Sequence, residues 1–174
     1  MPIDEQMFKQ AMRHLPAGVV LITTGPPGAR GGLTATAVMS LTAEPPQLVV
    51  AVNHAAHAFP LILRNRNFGV NVLTAAAHAL AECFAGFDGS QGEDRFRSGS
   101  WAPGVLGCPI LADAKVSFEC RLVHEFPVAT HSLLVGRVEA VRVDPETKPL
   151  LHFDGAWAAL GPHDAALLRE GGGR

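Results

Sequence analysis

Apolar and polar positions along this chain follow the period of strands more often than that of helices. In Lys115–Val123, Val116, Phe118, Cys120 and Leu122 alternate with Lys115, Ser117, Glu119 and Arg121, the period of two of a half-buried strand. His131–Val143 is a second long strand, with Gly136 expected as a bulge or a close-approach point. Val19–Thr24, Gln47–Asn53 and Phe68–Leu73 are apolar runs of strand length, and a last short pair is expected near Leu150–Phe153 and Ala156–Leu160. The Gly/Pro-rich loop Gly25–Gly32 separates Val19–Thr24 from a strand over Leu33–Thr42, which predicts a hairpin. Pro45-Pro46 makes the corner before the next strand.

Helical spacing is rarer. Met7, Phe8, Ala11, Met12 and Leu15 share one face of a helix capped by Asp4 and ended by Pro16. A short helix is expected over Phe59–Asn65, and an Ala-rich one over Ala75–Ala85 with Thr74 as its cap. Gly86–Gly107 is polar, glycine-rich and aperiodic, and reads as a long surface loop of functional length. Many strands and few helices predict an antiparallel barrel, closed to remove its edges. One domain is expected over residues 1–165, followed by a flexible tail over 166–174.

Within Leu33–Thr42, alternate side chains would place Thr34, Thr36, Ser40 and Thr42 on one face as a hydroxyl row broken only by Val38. Leu33, Ala35, Ala37, Met39 and Leu41 form the small, apolar opposite face. Buried hydroxyls need partners, so a row of them suits a flat, polar, phosphate-bearing ligand such as a flavin.

Composition narrows the reading. A 48% hydrophobic content with 17% charged residues hints at apolar surface hidden between subunits. A net charge of −2 gives no footprint for nucleic acid or an anionic membrane. The longest apolar runs are far too short to span a bilayer. Cys83, Cys108 and Cys120 form no close pair and read as reduced, buried thiols. The first residues lack the basic and apolar regions of a signal peptide, so a cytoplasmic location is expected.

Few residues carry explicit chemistry. Gly28, Gly31 and Gly32 precede a β-branched strand rather than a helix, which excludes a dinucleotide fingerprint. His54 and His57 lack the acidic or thiol neighbours of a metal site. At the end of a strand entering a helix they could instead meet a phosphate, or be solvated loop residues. Asn53 could read the polar edge of a flavin or simply form a turn. Phe84 could be core, Arg95-Phe96 a solvated arginine beside a loop anchor, and His131 a structural strand start. GxSxG, HExxH and P-loop patterns are absent, and so is tyrosine.

In order along the chain stand Met12–Thr24, Gly32–Pro46, Leu48–Asn53, Phe68–Leu73, Phe84-Ala85, Arg95-Phe96, Trp101, Cys120, His131–Val138 and Gly155-Ala156-Trp157. This series resembles the short-chain flavin reductases, the family of FMN-binding split β-barrels that includes reductase components of two-component flavin monooxygenases. The resemblance implies a mainly β fold, a Greek-key-like antiparallel split barrel with a few flanking helices, assembled as a homodimer. It implies FMN or FAD held by Thr34, Ala35, Thr36, Ala37, Ser40, Leu41 and Thr42, with Asn53, His54, Ala55, His57 and Ala58 as the adjoining wall and phosphate end. Phe84, Arg95 and Phe96 would close over the flavin, and Trp157 would supply a stacking face. His131 would sit where the nicotinamide of NADH or NADPH stacks, as the catalytic position. Hydride would pass to the flavin, and reduced flavin would feed a partner monooxygenase. A non-enzymatic FMN-binding electron carrier or sensor is the alternative reading. The chain departs from the family pattern where His54-Ala55-Ala56-His57 replaces a Ser/Thr phosphate row, and where Thr130 replaces an aspartate before His131.

Overall fold

The computed structural model describes residues 3–161; the expected tail over 166–174 lies outside them. Strands β1 (Ala17–Gly18), β2 (Val20–Thr24), β3 (Gly31–Ala35), β4 (Val38–Ala43) and β5 (Pro46–Asn53) follow helix α1 (Glu5–Arg13). Helix α2 (Ala58–Asn65), strand β6 (Asn67–Val72) and helix α3 (His78–Ala85) come next. Strands β7 (Trp101–Pro103), β8 (Pro109–Leu111), β9 (Val116–Val128), β10 (His131–Val143), β11 (Leu150–Phe153) and β12 (Ala156–Ala159) are the remaining strands of the described residues.

Seven strands form one antiparallel sheet in the order β3-β2-β6-β9-β10-β5-β4. The two edge strands, β3 and β4, are separated in sequence only by Thr36 and Ala37. Three Cα steps reach about 11 Å at most, so the sheet curls until its opposite edges converge at that dipeptide. Val38 N–H donates to Thr36 O at 3.1 Å and Ala51 N–H to Ala37 O at 3.0 Å, which ties the crossover to β5. The expected single strand over Leu33–Thr42 is therefore two strands. A register shift between Ser40 and Thr42 breaks the alternation again. Four hydroxyls on one face cannot survive a change of sheet edge followed by a bulge.

The run Val20–Thr24 is buried at every position because β2 packs on both faces. Val20 and Ile22 join a core with Val50, Val52, Ile62, Phe68 and Leu134 inside the curl. Val19 and Leu21 face a second core with Leu73, Ala81, Phe84, Phe96 and Leu111 outside it. Gly136 is needed where β10 passes close to the Phe68 ring and Cys120. A Cβ there would stand 2.5 Å from the Phe68 ring and 2.7 Å from Cys120 Cβ, and the β9–β10 register shifts beside it.

A buried polar node fastens β8 to the sheet. Asn71 Nδ2 donates to Thr23 Oγ1 at 3.1 Å, and Asn71 Oδ1 accepts from Leu111 N at 2.9 Å and Ser117 Oγ at 3.2 Å. Thr23 Oγ1 donates to Pro109 O at 2.6 Å. Every member of this node is satisfied, the condition for keeping polar groups in a core.

The segment Gly86–Gly107 is more than a surface loop. It contains a 3-10 turn over Gly92–Arg97 and strand β7, paired with β8. Phe96 anchors it, 4% exposed, edge-on to Phe84 and Trp101. A lone anchor residue leaves no period to read. Helix α3 likewise begins late, after a 3-10 turn over Ala75–Ala77 where the Thr74 side chain makes no cap bond.

Helix α1 forms for the expected reason: Asp4 accepts Met7 N–H at 2.8 Å, with Glu5 in its first turn and Arg13 in its last. None of its residues is buried, and Met7, Phe8 and Met12 stand exposed with Leu15 beyond. The three cysteines are free and buried. Burial pushes the Cys108 and Cys120 thiols up to about 12, so both stay protonated at neutral pH. Among the described residues no helix is long and apolar enough to cross a membrane.

Candidate functional site

A groove in two adjoining chambers runs along the β3 edge of the sheet. The first, about 370 Å³, is lined by Leu33–Ala37, Ala51, Asn53, Ala85, Phe87, His131, His152 and Trp157. The second, about 430 Å³, is lined by Leu33, Thr34, Ala55, Ala56, His57, Phe84, Ala85, Gln91, Gly92 and Arg95. Leu33, Thr34 and Ala85 line both, so the chambers lie side by side.

The first chamber is lined mainly by small and apolar residues, with a few polar groups set among them. Among the described residues strand β3 pairs only with β2, so its other edge lacks a strand partner, although Arg95 Nη1 donates to Gly32 O. The Thr36 hydroxyl makes no hydrogen bond among the described residues, whereas Thr34 Oγ1 donates to Ala81 O at 2.7 Å. Asn53 forms the turn its sequence context allows. Its Oδ1 accepts Ala55 N–H at 2.8 Å as a turn former, and its Nδ2 has no partner among the described residues.

His131 stands opposite Asn53 in the β10–β5 register. Its Nδ1 lies 2.8 Å from Thr130 Oγ1, which supplies the orienting partner that an aspartate would otherwise give. The turn ahead of it holds Ala129 at φ 51°, in the left-handed region. The far wall is aromatic: Trp157 donates its Nε1–H to Glu82 Oε1 at 3.0 Å, and His152 packs edge-on against it at 5.4 Å.

The second chamber centres on a held cation. Arg95 Nε donates to Ser90 O at 3.0 Å, and its Nη1 donates to Gly32 O and Phe84 O, each at 2.9 Å. Among the described residues it has no salt bridge. His57 is exposed at the N-cap of α2 and makes no cap bond of its own. Beside this chamber, burial raises the Glu93 carboxyl, but hydrogen bonds from Arg30 outweigh that and hold it below the usual carboxylate range.

Several expected contacts lie elsewhere. His54 turns its Nε2 to Ser132 Oγ at 2.9 Å, and Ser132 donates onward to Glu125 at 2.8 Å, so the ring is engaged away from the groove. Ala58 is fully buried in the core. Phe96 lies in the second core, and Phe84, 1% exposed, floors the second chamber rather than closing over it. Ser40 and Thr42 line a separate apolar concavity with Val38, Met39, Leu48, Phe118 and Val138, while Leu41 is exposed. The linear sequence left out Phe87, Gln91, Gly92 and His152. For His152 a signal existed: Asp154-Gly155 is a two-residue hairpin turn with φ 50° and 77°, which sets His152 opposite Trp157.

The fold is a curled antiparallel sheet with a groove along one edge and an arginine at one end of that groove. The flavin reductase like domain model matches residues 12–161, and the chain belongs to that family. FMN reductase (NADH) RutF of Escherichia coli O6:K15:H31 (strain 536 / UPEC) is 39% identical over 158 residues, covering 91% of this chain and 95% of that protein. The Streptomyces globisporus C-1027 NADH:FAD oxidoreductase SgcE6 superposes with a TM-score of 0.85 at 26% identity, over 93% of this chain and 96% of that one. The flavin reductase PheA2 superposes with a TM-score of 0.83 at 29% identity, over 91% of this chain and 99% of that one.

Proposed function

We propose that the groove binds a flavin, its ring system in the first chamber and its phosphate in the second, and that the protein is an NAD(P)H:flavin oxidoreductase. The observation that carries this reading is the division of donors. Among the described residues, the unpartnered Thr36 hydroxyl and Asn53 Nδ2 line one chamber, and an arginine without a carboxylate partner lines the other. A flat heteroaromatic ring bearing a phosphate needs both. The family membership and the named activities of the relatives support the same reaction.

Bound flavin, FMN or FAD, supplies a hydride acceptor at N5 for NADH or NADPH. The chain's own residues bind and orient. The backbone of Thr34–Ala37, the Thr36 hydroxyl and Asn53 Nδ2 would hold the ring and supply hydrogen-bond donors that steady the negative charge gained on reduction. Arg95, with His57 and the amides entering α2, holds the phosphate. His131, braced by Thr130, sets the approach of the nicotinamide, and Phe87, His152 and Trp157 wall the chamber. Direct hydride transfer asks for position more than for acid–base chemistry.

The uncovered apolar face of α1 supports a homodimer, since contiguous exposed apolar surface marks an interface. Reduced flavin would pass to a monooxygenase, the role of two-component reductases. Buried free thiols fit a cytoplasmic setting. An electron carrier would hold flavin without oxidising nicotinamide, so the test is anaerobic. NADH or NADPH added with FMN is expected to bleach the flavin absorbance with one nucleotide oxidised per flavin. Tight binding without bleaching by either nucleotide would overturn the reductase reading.

A further inference from the structure

Outside the groove, a second arginine is spent on one carboxylate. Arg30, in the β2–β3 hairpin loop, donates its backbone N–H to Glu93 Oε2 at 2.8 Å and its Nε–H to Glu93 Oε1 at 2.7 Å. Its Nη2 meets the same Oε1 as an ion pair. The guanidinium also lies 4.6 Å from the centre of the Phe96 ring, a cation–π distance. Neither Arg30 nor Glu93 lines the groove.

Two residues further along each segment stands a second rung, in which Arg95 Nη1 donates to Gly32 O at 2.9 Å. The pairs 30–93 and 32–95 therefore form a ladder between the start of β3 and the 3-10 turn over Gly92–Arg97. The first rung has charge on both sides. The second has charge only on Arg95, whose partners Gly32 O, Phe84 O and Ser90 O are all neutral carbonyls. Glu93 is the nearest carboxylate in sequence to Arg95 except Asp94, which pairs with Arg97 at 2.9 Å. Both acids flanking Arg95 are thus committed to other arginines.

The geometry points to Arg30 as a positioning residue that sets preference for phosphorylated flavin. It neutralises Glu93 and fixes the turn, so that Arg95 faces the second chamber with its charge unspent. Without Arg30, the Glu93 carboxylate would be released two residues from Arg95. There it would either pair with that guanidinium or repel an incoming phosphate. This inference rests on the placement of the phosphate at Arg95 under the proposed function.

Flavin-fluorescence titrations with FMN and with riboflavin, which lacks the phosphate, separate the two ideas. For Arg30→Met, FMN affinity is expected to fall about tenfold with riboflavin affinity within twofold. Arg30→Lys keeps the charge without the two-toothed geometry and is expected to recover part of the loss. Equal losses for both ligands, or none for FMN, would overturn the role of Arg30. Riboflavin binding itself reports whether each variant is folded. Arg95→Gln, run alongside, is expected to lose FMN affinity selectively and more deeply. If it loses none, the phosphate placement fails and takes this inference with it. If Arg95→Gln shows the selective loss and Arg30→Met does not, only the role of Arg30 fails.

Discussion

The two chambers share Leu33, Thr34 and Ala85 yet are built by opposite means. At the ring end the polar side-chain groups are exposed and have no partner among the described residues: the Thr36 hydroxyl, Asn53 Nδ2 and the far side of the His131 ring. At the anion end the half-buried cation is fixed by three carbonyls and backed by Phe84 and Phe96. A neutral ring is recognised by several hydrogen bonds worth about 0.5–1.5 kcal/mol each. A phosphate is recognised by fewer, stronger, charge-assisted ones. Damage at the anion end should therefore be concentrated in single residues, whereas damage at the ring end should be shallow and spread out.

The sharpest break is expected from Gly32→Ala. Gly32 carries the carbonyl that holds Arg95, and a Cβ there would stand 2.5 Å and 2.8 Å from Phe84 ring carbons and 3.2 Å from Ile22 O. Phe84 is too buried to swing clear. Overpacking of this kind costs about 1–3 kcal/mol, which for a chain of this size lowers the melting temperature by roughly 3–10 °C. FMN affinity is expected to drop about thirtyfold, more than that for riboflavin. An unchanged melting curve with unchanged FMN binding would show that the two ends are not mechanically distinct.

His131→Ala probes the ring end where it meets the second substrate. It removes the imidazole but leaves Asn53 and the β3 edge in place. The Michaelis constant for the nicotinamide nucleotide is expected to rise about tenfold, some 1.4 kcal/mol, with that for flavin within twofold. Equal rises in both constants would place His131 against the flavin instead.

What the linear chain disclosed follows the same division. Periodicity exposed β9 and β10, and the Gly/Pro loop exposed the β2–β3 hairpin, because these patterns report local burial. The convergence of β3 and β4 at Thr36-Ala37 was hidden, because a crossover between sheet edges leaves the local pattern looking like one long strand. Thr34, Thr36, Asn53, His57, Arg95 and His131 line the groove, while Ser40 and Thr42 were carried in by a parity that the crossover and a bulge overrode, and His54, expected beside His57 at the strand end, turns to the Ser132 hydroxyl instead. The Arg30–Glu93 rung links residues far apart in sequence and has no local signature at all.

The smallest effects separate two hydroxyls that the sequence placed in one row. Thr34 Oγ1 is committed to Ala81 O on α3, whereas Thr36 Oγ1 is open to the groove. Valine keeps the branched shape of threonine and removes only the hydroxyl. Thr34→Val leaves the Ala81 carbonyl short of a donor, so it is expected to cost about 1 kcal/mol of stability and about 2–4 °C in melting temperature, with flavin affinity little altered. Thr36→Val is expected to do the reverse, with an unchanged melting temperature and about fivefold weaker binding, near 1 kcal/mol. That loss should be the same for FMN and riboflavin, because the phosphate lies in the other chamber. A Thr36→Val loss confined to FMN would mean that the flavin lies in the groove the other way round, with its ring beside Arg95.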